Sequence, residues 1–149
     1  MGSILSQMDD VDGLARFLGV RRGNRVMTTM LLIGEVERGL PFASLAKVFD
    51  EVAPDEPKLR YTVVPRATFA RKRSGGSRMS REQSDHVARV ARVWMLALKV
   101  WKTPDEARAF LLRPHPMLEN RRPIEVTMTT EGARLVEDIL GRLYYGTAA

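Results

Sequence analysis

No glycine or proline interrupts residues 80–103, and the run opens on Ser80-Arg81-Glu82-Gln83. A serine side chain that accepts from the backbone three residues on, answered by a glutamine reaching back, is a capping box, so a long helix starts at Ser80. Val87, Val90, Ala91, Trp94, Leu98 and Trp101 recur at helical spacing and form a broad apolar stripe. Arg81, Asp85, Arg89 and Arg92 line another face, with Asp85 spaced to pair with both Arg81 and Arg89. A stripe this broad needs other elements packed against it, which makes the helix the axis of the fold.

Prolines and glycines cut the chain on either side into short pieces. A short helix is expected over Asp10–Leu18, with Leu14, Phe17 and Leu18 on one side, Gly19 as its stop and residues 20–24 as a loop. Residues 25–39 are ambiguous: β-branched residues favour a strand early on, whereas Leu31–Arg38 reads as a helix ending at Gly39. Pro41 opens the next helix at its first position, and Phe42, Leu45, Val48, Phe49 and Val52 make its apolar stripe. Pro54 stops it, Asp55 suits the N-cap of a second helix over Glu56–Thr62, and after Val64-Pro65 a third short helix runs Arg66–Arg73. Three short helices with tight turns in about thirty residues have helix-turn-helix proportions. Ser74-Gly75-Gly76-Ser77 is a loop.

Beyond the long helix, Thr103-Pro104-Asp105-Glu106 starts another, buried through Ala107, Phe110 and Leu111. Leu112–Pro123 is a proline-rich connector, and a last helix begins near Thr130 and ends at Gly146, with Leu135, Val136, Ile139, Leu140 and Leu143 facing inward. Tyr144 and Tyr145 lie about 100° apart on it. The stripe places Tyr144 nearer the buried side and Tyr145 nearer solvent, where Tyr145 and Arg142 are available to a partner. A frayed C-terminus is the bland alternative. The fold class expected is all-α.

The 149 residues suffice for one sizeable core or two very small helical subdomains. The chain has no cysteine, which excludes disulfide scaffolds, cysteine nucleophiles and the usual structural zinc sites. No apolar run approaches the length of a bilayer span. The opening residues carry early acids and neither a basic nor an apolar signal region, so a cytoplasmic protein is expected, with no membrane partner. His86 and His115 stand in different segments without a surrounding acid motif, which leaves no metal site and no catalytic constellation. His86 reads as a packing or surface residue and His115 as a connector residue. The Ser-Gly-Gly-Ser loop lacks the lysine and the preceding strand of a phosphate-binding loop.

The charge is more telling. The net charge is +6, yet residues 58–92 hold ten Lys or Arg against two acids, a local +8 that leaves −2 for the rest of the chain. Such confinement points to a directed electrostatic surface, with a solvated helix face as the plain alternative. Arg66, Arg71, Lys72 and Arg73 fall on the third short helix or its exit, Phe69 is spaced to anchor that helix to the core, and Thr68 either contacts DNA or tucks against the core. Arginine reads guanine bidentately and basic side chains hold phosphates, so Arg66, Thr68, Arg71, Lys72 and Arg73 are the candidate DNA-binding residues.

In order, the segments Gly39–Asp50, Val64–Arg73, Arg81–Trp101, Ala107–Val126 and Thr129–Gly146 resemble a family of antitoxins. These carry an Xre-type helix-turn-helix and an Xre/MbcA/ParS toxin-binding C-terminal domain. The resemblance covers roughly Leu32 to Gly146. It departs at Phe110-Leu111, where the family usually has Trp-Leu, and in lacking the Gln-x-x-x-Ala start common to lambda-repressor-like domains. The resemblance implies a lambda-repressor-like helix-turn-helix followed by a small helical toxin-binding domain, sharing the long helix. The divisions would be an N-terminal segment over 1–30, a DNA-binding domain over 31–79 and a toxin-binding domain over 80–149. It implies further a RES-domain, NAD-consuming toxin as partner, inhibited by covering its NAD pocket. Operator DNA, a homodimer within a toxin–antitoxin assembly and no cofactor complete that expectation. The toxin-binding residues carried over are Arg122, Arg142, Leu143, Tyr144, Tyr145 and Gly146. Two alternatives stand beside it: a stand-alone transcriptional regulator whose C-terminal helices only dimerise, and a nucleotide- or NAD-binding enzyme.

Overall fold

A computed structural model describes residues 4–20 and 23–146 of the chain, in which all regular structure is helical. Eight α-helices follow in order among these residues: α1 Ile4–Leu18, α2 Thr29–Arg38, α3 Phe42–Val52, α4 Arg66–Lys72, α5 Arg81–Trp101, α6 Pro104–Leu112, α7 Pro123–Val126 and α8 Thr130–Tyr145. Two 3₁₀ turns intervene, at Pro57–Thr62 and Pro116–Leu118. The chain forms two compact units, Met1–Ala88 and Arg89–Ala149, and the boundary falls inside α5.

In the first unit, α1 begins earlier than the expected Asp10 and ends where expected. The Gly19 amide donates to the Arg16 carbonyl and the Val20 amide to Ala15, a pairing that closes a helix end. Part of the expected 20–24 loop, Arg21 and Arg22, lies outside the described residues. The ambiguity at residues 25–39 resolves to helix over Thr29–Arg38, with 25–28 irregular and no strand formed there. Thr28 is no strand residue but the N-cap of α2, its hydroxyl accepting from the Leu31 amide at 3.2 Å. Pro41 sits one position earlier than expected, as the N-cap of α3, and the α3 stripe is buried in full. The C-terminal end of α1 is tied to α3 by the Ser44 hydroxyl donating to the Leu18 carbonyl and by Lys47 Nζ reaching Arg16 O at 3.0 Å.

The second short helix is a 3₁₀ turn with Glu56, not Asp55, at the cap position. Pro57 at its start and the Thr62 hydroxyl bonded back to Leu59 O, 2.7 Å, suit three residues per turn. Further on, the Met79 amide donates to Leu40 O at 2.8 Å and the Phe42 amide to Ser77 O at 3.3 Å, which brings the chain after the loop alongside the start of α3. The capping box at the head of α5 forms as read: Gln83 N to Ser80 Oγ is 3.1 Å and Ser80 N to Gln83 Oε1 is 3.0 Å.

One turn into α5, Ser84 is fully buried and its hydroxyl accepts from the Leu40 amide at 2.7 Å. Replacing it with alanine leaves that buried N–H unpaired, a loss of about 1–3 kcal/mol. Ser84→Ala is therefore expected to lower the urea midpoint of the first unit with an unchanged m-value.

The second unit packs α5, α6, α7 and α8 around Trp94, Phe110, Leu111, Leu118, Ile124, Val136, Ile139 and Leu140. Thr103 caps α6 through the Glu106 amide, 3.3 Å, and Thr129 caps α8 through Gly132 N, 2.9 Å. The connector expected at Leu112–Pro123 is a folded turn. His115 donates its amide to Arg121 O at 3.1 Å and caps the 3₁₀ turn by accepting from Met117 N at 3.2 Å. Arg89 departs from expectation. It is buried, not on a solvated face, and donates to the carbonyls of Thr127 at 3.2 Å and Met128 at 2.6 Å. Those carbonyls follow the last turn of α7, and a guanidinium is the side chain able to satisfy two at once. Arg92 stays exposed and ties α5 to α8 through Glu137 at 2.6 Å.

Candidate nucleic-acid interface and partner-binding helix

The short α4 is held against the rest of its unit by one buried side chain, Phe69. Around that ring the structure gathers Tyr61, edge-on at 6.1 Å, and the guanidinium groups of Arg60 and Arg73, each 5.5 Å from its centroid. Arg60 is a buried clamp: it ion-pairs with Asp50 of α3 and donates Nε to Pro57 O at 2.8 Å. Sequence counting placed Arg60 in the basic window as surface charge; its burial depends on Asp50, ten residues away, which no local pattern announces.

The other candidates on α4 separate into two groups. Arg66 and Arg71 are exposed, and Arg66 lies 5.9 Å from the centre of the Tyr61 ring. Arg73 is exposed at the C-cap, with its guanidinium over Phe69. Thr68 and Lys72 are half-buried. The α4 surface thus keeps its positive charge outward while Phe69, Tyr61 and Arg60 fix its orientation.

In the second unit, the inward stripe of α8 runs through Ala133, Val136, Ile139 and Leu140. At about 100° per residue, Leu143 and Tyr144 continue it. Leu143 is nevertheless 47% exposed and Tyr144 54%, because α8 extends a turn past the core that covers it. Tyr145, 64% exposed, packs its ring edge-on to Tyr144 at 5.0 Å. Gly146 ends the helix with its amide on Arg142 O. A single helix end therefore presents Arg142, Leu143, Tyr144 and Tyr145 together.

Among the described residues no group of three or more His, Asp or Glu could hold a metal ion, and no helix is long and apolar enough to cross a membrane. Compared with family models, residues 31–92 match the antitoxin Xre-like helix-turn-helix domain and residues 96–146 match the antitoxin Xre/MbcA/ParS C-terminal toxin-binding domain. The chain belongs to the Xre-type antitoxins. No curated protein matches it.

Two expectations for the antitoxin's α8 residues change in the structure. Tyr144, placed nearer the buried side, is 54% exposed and is not covered by the described residues. Leu135, 45% exposed, and Leu143 likewise fail to bury. Arg122, carried over as a toxin-binding residue, pairs its Nε with Glu125 at 2.9 Å and reaches Leu112 O with its Nη1 at 3.5 Å, bracing the start of α7 against the end of α6. His86 is buried, in keeping with a packing residue.

Proposed function

We propose that this antitoxin neutralises a RES-domain, NAD-consuming toxin by laying the exposed end of α8 over the toxin's NAD pocket, and that it represses its own operon as a homodimer through α4. In this reading residues 31–79 serve DNA and residues 80–149 serve the toxin, and the antitoxin itself catalyses nothing and works in the cytoplasm. The observation that carries it is the uncovered continuation of the α8 stripe within the toxin-binding domain. Apolar and aromatic side chains left exposed together mark an interaction surface, and tyrosine and arginine are enriched at interface hot spots. The test is coexpression with an adjacent RES-type open reading frame, read out as cellular NAD and growth. Protection by the full chain is expected; equal NAD loss with and without it rejects the reading.

The DNA half carries its own prediction. Arg73 borders the outward face of α4 and Lys72 lies half-buried behind it with a long stem able to reach around the helix; both are assigned to phosphates. Each phosphate left without its cation lowers the magnitude of the log K against log salt slope by about 0.9. Lys72→Ala with Arg73→Ala is expected to weaken promoter binding and flatten the slope by up to about 1.8. An unchanged slope in the double variant removes both residues from the interface.

A further inference from the structure

The outward face of α4 is unusual in what stands at its centre. Measured around the helix at about 100° per residue, Arg66, Ala70, Ala67 and Arg71 fall at about 0°, 40°, 100° and 140°, opposite the half-buried Lys72. All four are exposed. The apex of this exposed face is two methyl groups between two arginines. Short side chains there let the helix axis approach a surface closely, and the five-residue separation of the arginines spans about 7.5 Å of helix, close to two base-pair steps. Arg66 is further restrained by its position beside the Tyr61 ring, which keeps a planar fork from collapsing onto the backbone.

We infer that Arg66 and Arg71 read guanine edges in the major groove of duplex DNA, and that Ala67 and Ala70 pack on thymine methyl groups between them. This rests on the DNA-binding reading above. It adds the base chemistry that the half-site must contain: guanines flanking a step that bears thymine methyls. Arginine bonded to guanine O6 and N7, and alanine against the thymine methyl, are the geometric matches available to these side chains. Tyr61 acts as a positioning residue for Arg66.

The experiment uses the full chain to select from a randomised duplex library. The recovered half-site is then resynthesised with 7-deazaguanine, which lacks the N7 acceptor, and separately with deoxyuridine, which lacks only the thymine methyl. Wild type is expected to lose about five-fold in affinity for each 7-deazaguanine read by arginine. Each buried methyl removed costs it about four-fold. Arg71→Ala, an exposed substitution that leaves the fold intact, is expected to bind natural and 7-deazaguanine duplexes equally at the affected position while keeping the wild-type salt slope. Tyr61→Ala is expected to reduce discrimination at the Arg66 guanine, and Tyr61→Phe to restore it. Full 7-deazaguanine sensitivity in Arg71→Ala, or affinity indifferent to deoxyuridine, overturns the base-reading assignment while DNA binding itself stands. A library that yields no enriched sequence overturns this inference, and failure to retain any duplex at low salt overturns the DNA-binding reading with it.

Discussion

Leu143→Ala combined with Tyr144→Ala is expected to abolish toxin neutralisation while leaving the antitoxin folded. Both side chains are about half exposed at the end of α8, so their loss removes little buried surface from the free protein. Substitutions at such positions usually change stability by less than about 0.5 kcal/mol. On the proposed reading the same two residues extend an apolar stripe that already organises the second unit, and the toxin would supply the cover the core withholds. Truncating a hot-spot residue costs about 2 kcal/mol or more, so the pair is expected to weaken the complex on the order of a thousand-fold. Tyr145→Ala should do less, because Tyr145 meets Tyr144 edge-on and serves partly to hold that ring. Affinity measured by titration calorimetry, beside thermal unfolding of the free chain, separates the two effects. If the double variant binds toxin normally, the end of α8 is not the inhibitory face.

What the sequence revealed of this arrangement, and what it hid, follows the range of the forces involved. The head of α5 was legible because its cap closes within four residues, Ser80 to Gln83. The α3 stripe was legible because period and burial coincide on a helix packed along its whole length. Helix phase set the angular positions of Leu143 and Tyr144 on α8, which runs through Tyr145. It could not tell that the second unit stops short of them, since coverage depends on where other elements end. Arg89 was hidden for a related reason: its acceptors, the carbonyls of Thr127 and Met128, lie nearly forty residues away and are backbone atoms with no sequence signature. Thr28 misled through composition, since a β-branched residue counts toward strand until it is seen accepting from Leu31 N. On α4 the basic residues were all in view, but their division into an outward pair and flanking groups required the burial of Phe69 and the Tyr61 ring beside Arg66.

Two glycines, one in each unit, yield the second large effect. A Cβ placed on Gly132 would stand 1.8 Å from the Val126 carbonyl oxygen and 2.9 Å from Thr129 Oγ1, and backbone cannot step aside as a flexible side chain does. Gly132→Ala must push the first turn of α8 away from α7. That disturbs the Thr129 cap and the segment whose carbonyls hold Arg89. Overpacking costs about 1–3 kcal/mol and more where backbone must move, so about 3 kcal/mol is expected from the second unit. Gly39 is the counterpart in the first unit: its φ of 97° already disfavours an L side chain, and its Cβ would stand 2.2 Å from Met79 O. Gly39→Ala thus separates the chain around Leu40 from the residues leading into α5, where Met79 N and Ser84 Oγ make their bonds to it. Because each clash is confined to one unit, the phenotypes should divide. Gly132→Ala is expected to lose toxin neutralisation and keep promoter binding at permissive temperature, and Gly39→Ala to do the reverse. Denaturant unfolding, promoter gel shifts and coexpression with the toxin measure the three quantities. A Gly132→Ala protein as stable as the parent would mean that α7 and α8 do not pack this closely, and the loss of both activities in either variant would mean that the two units do not function separately.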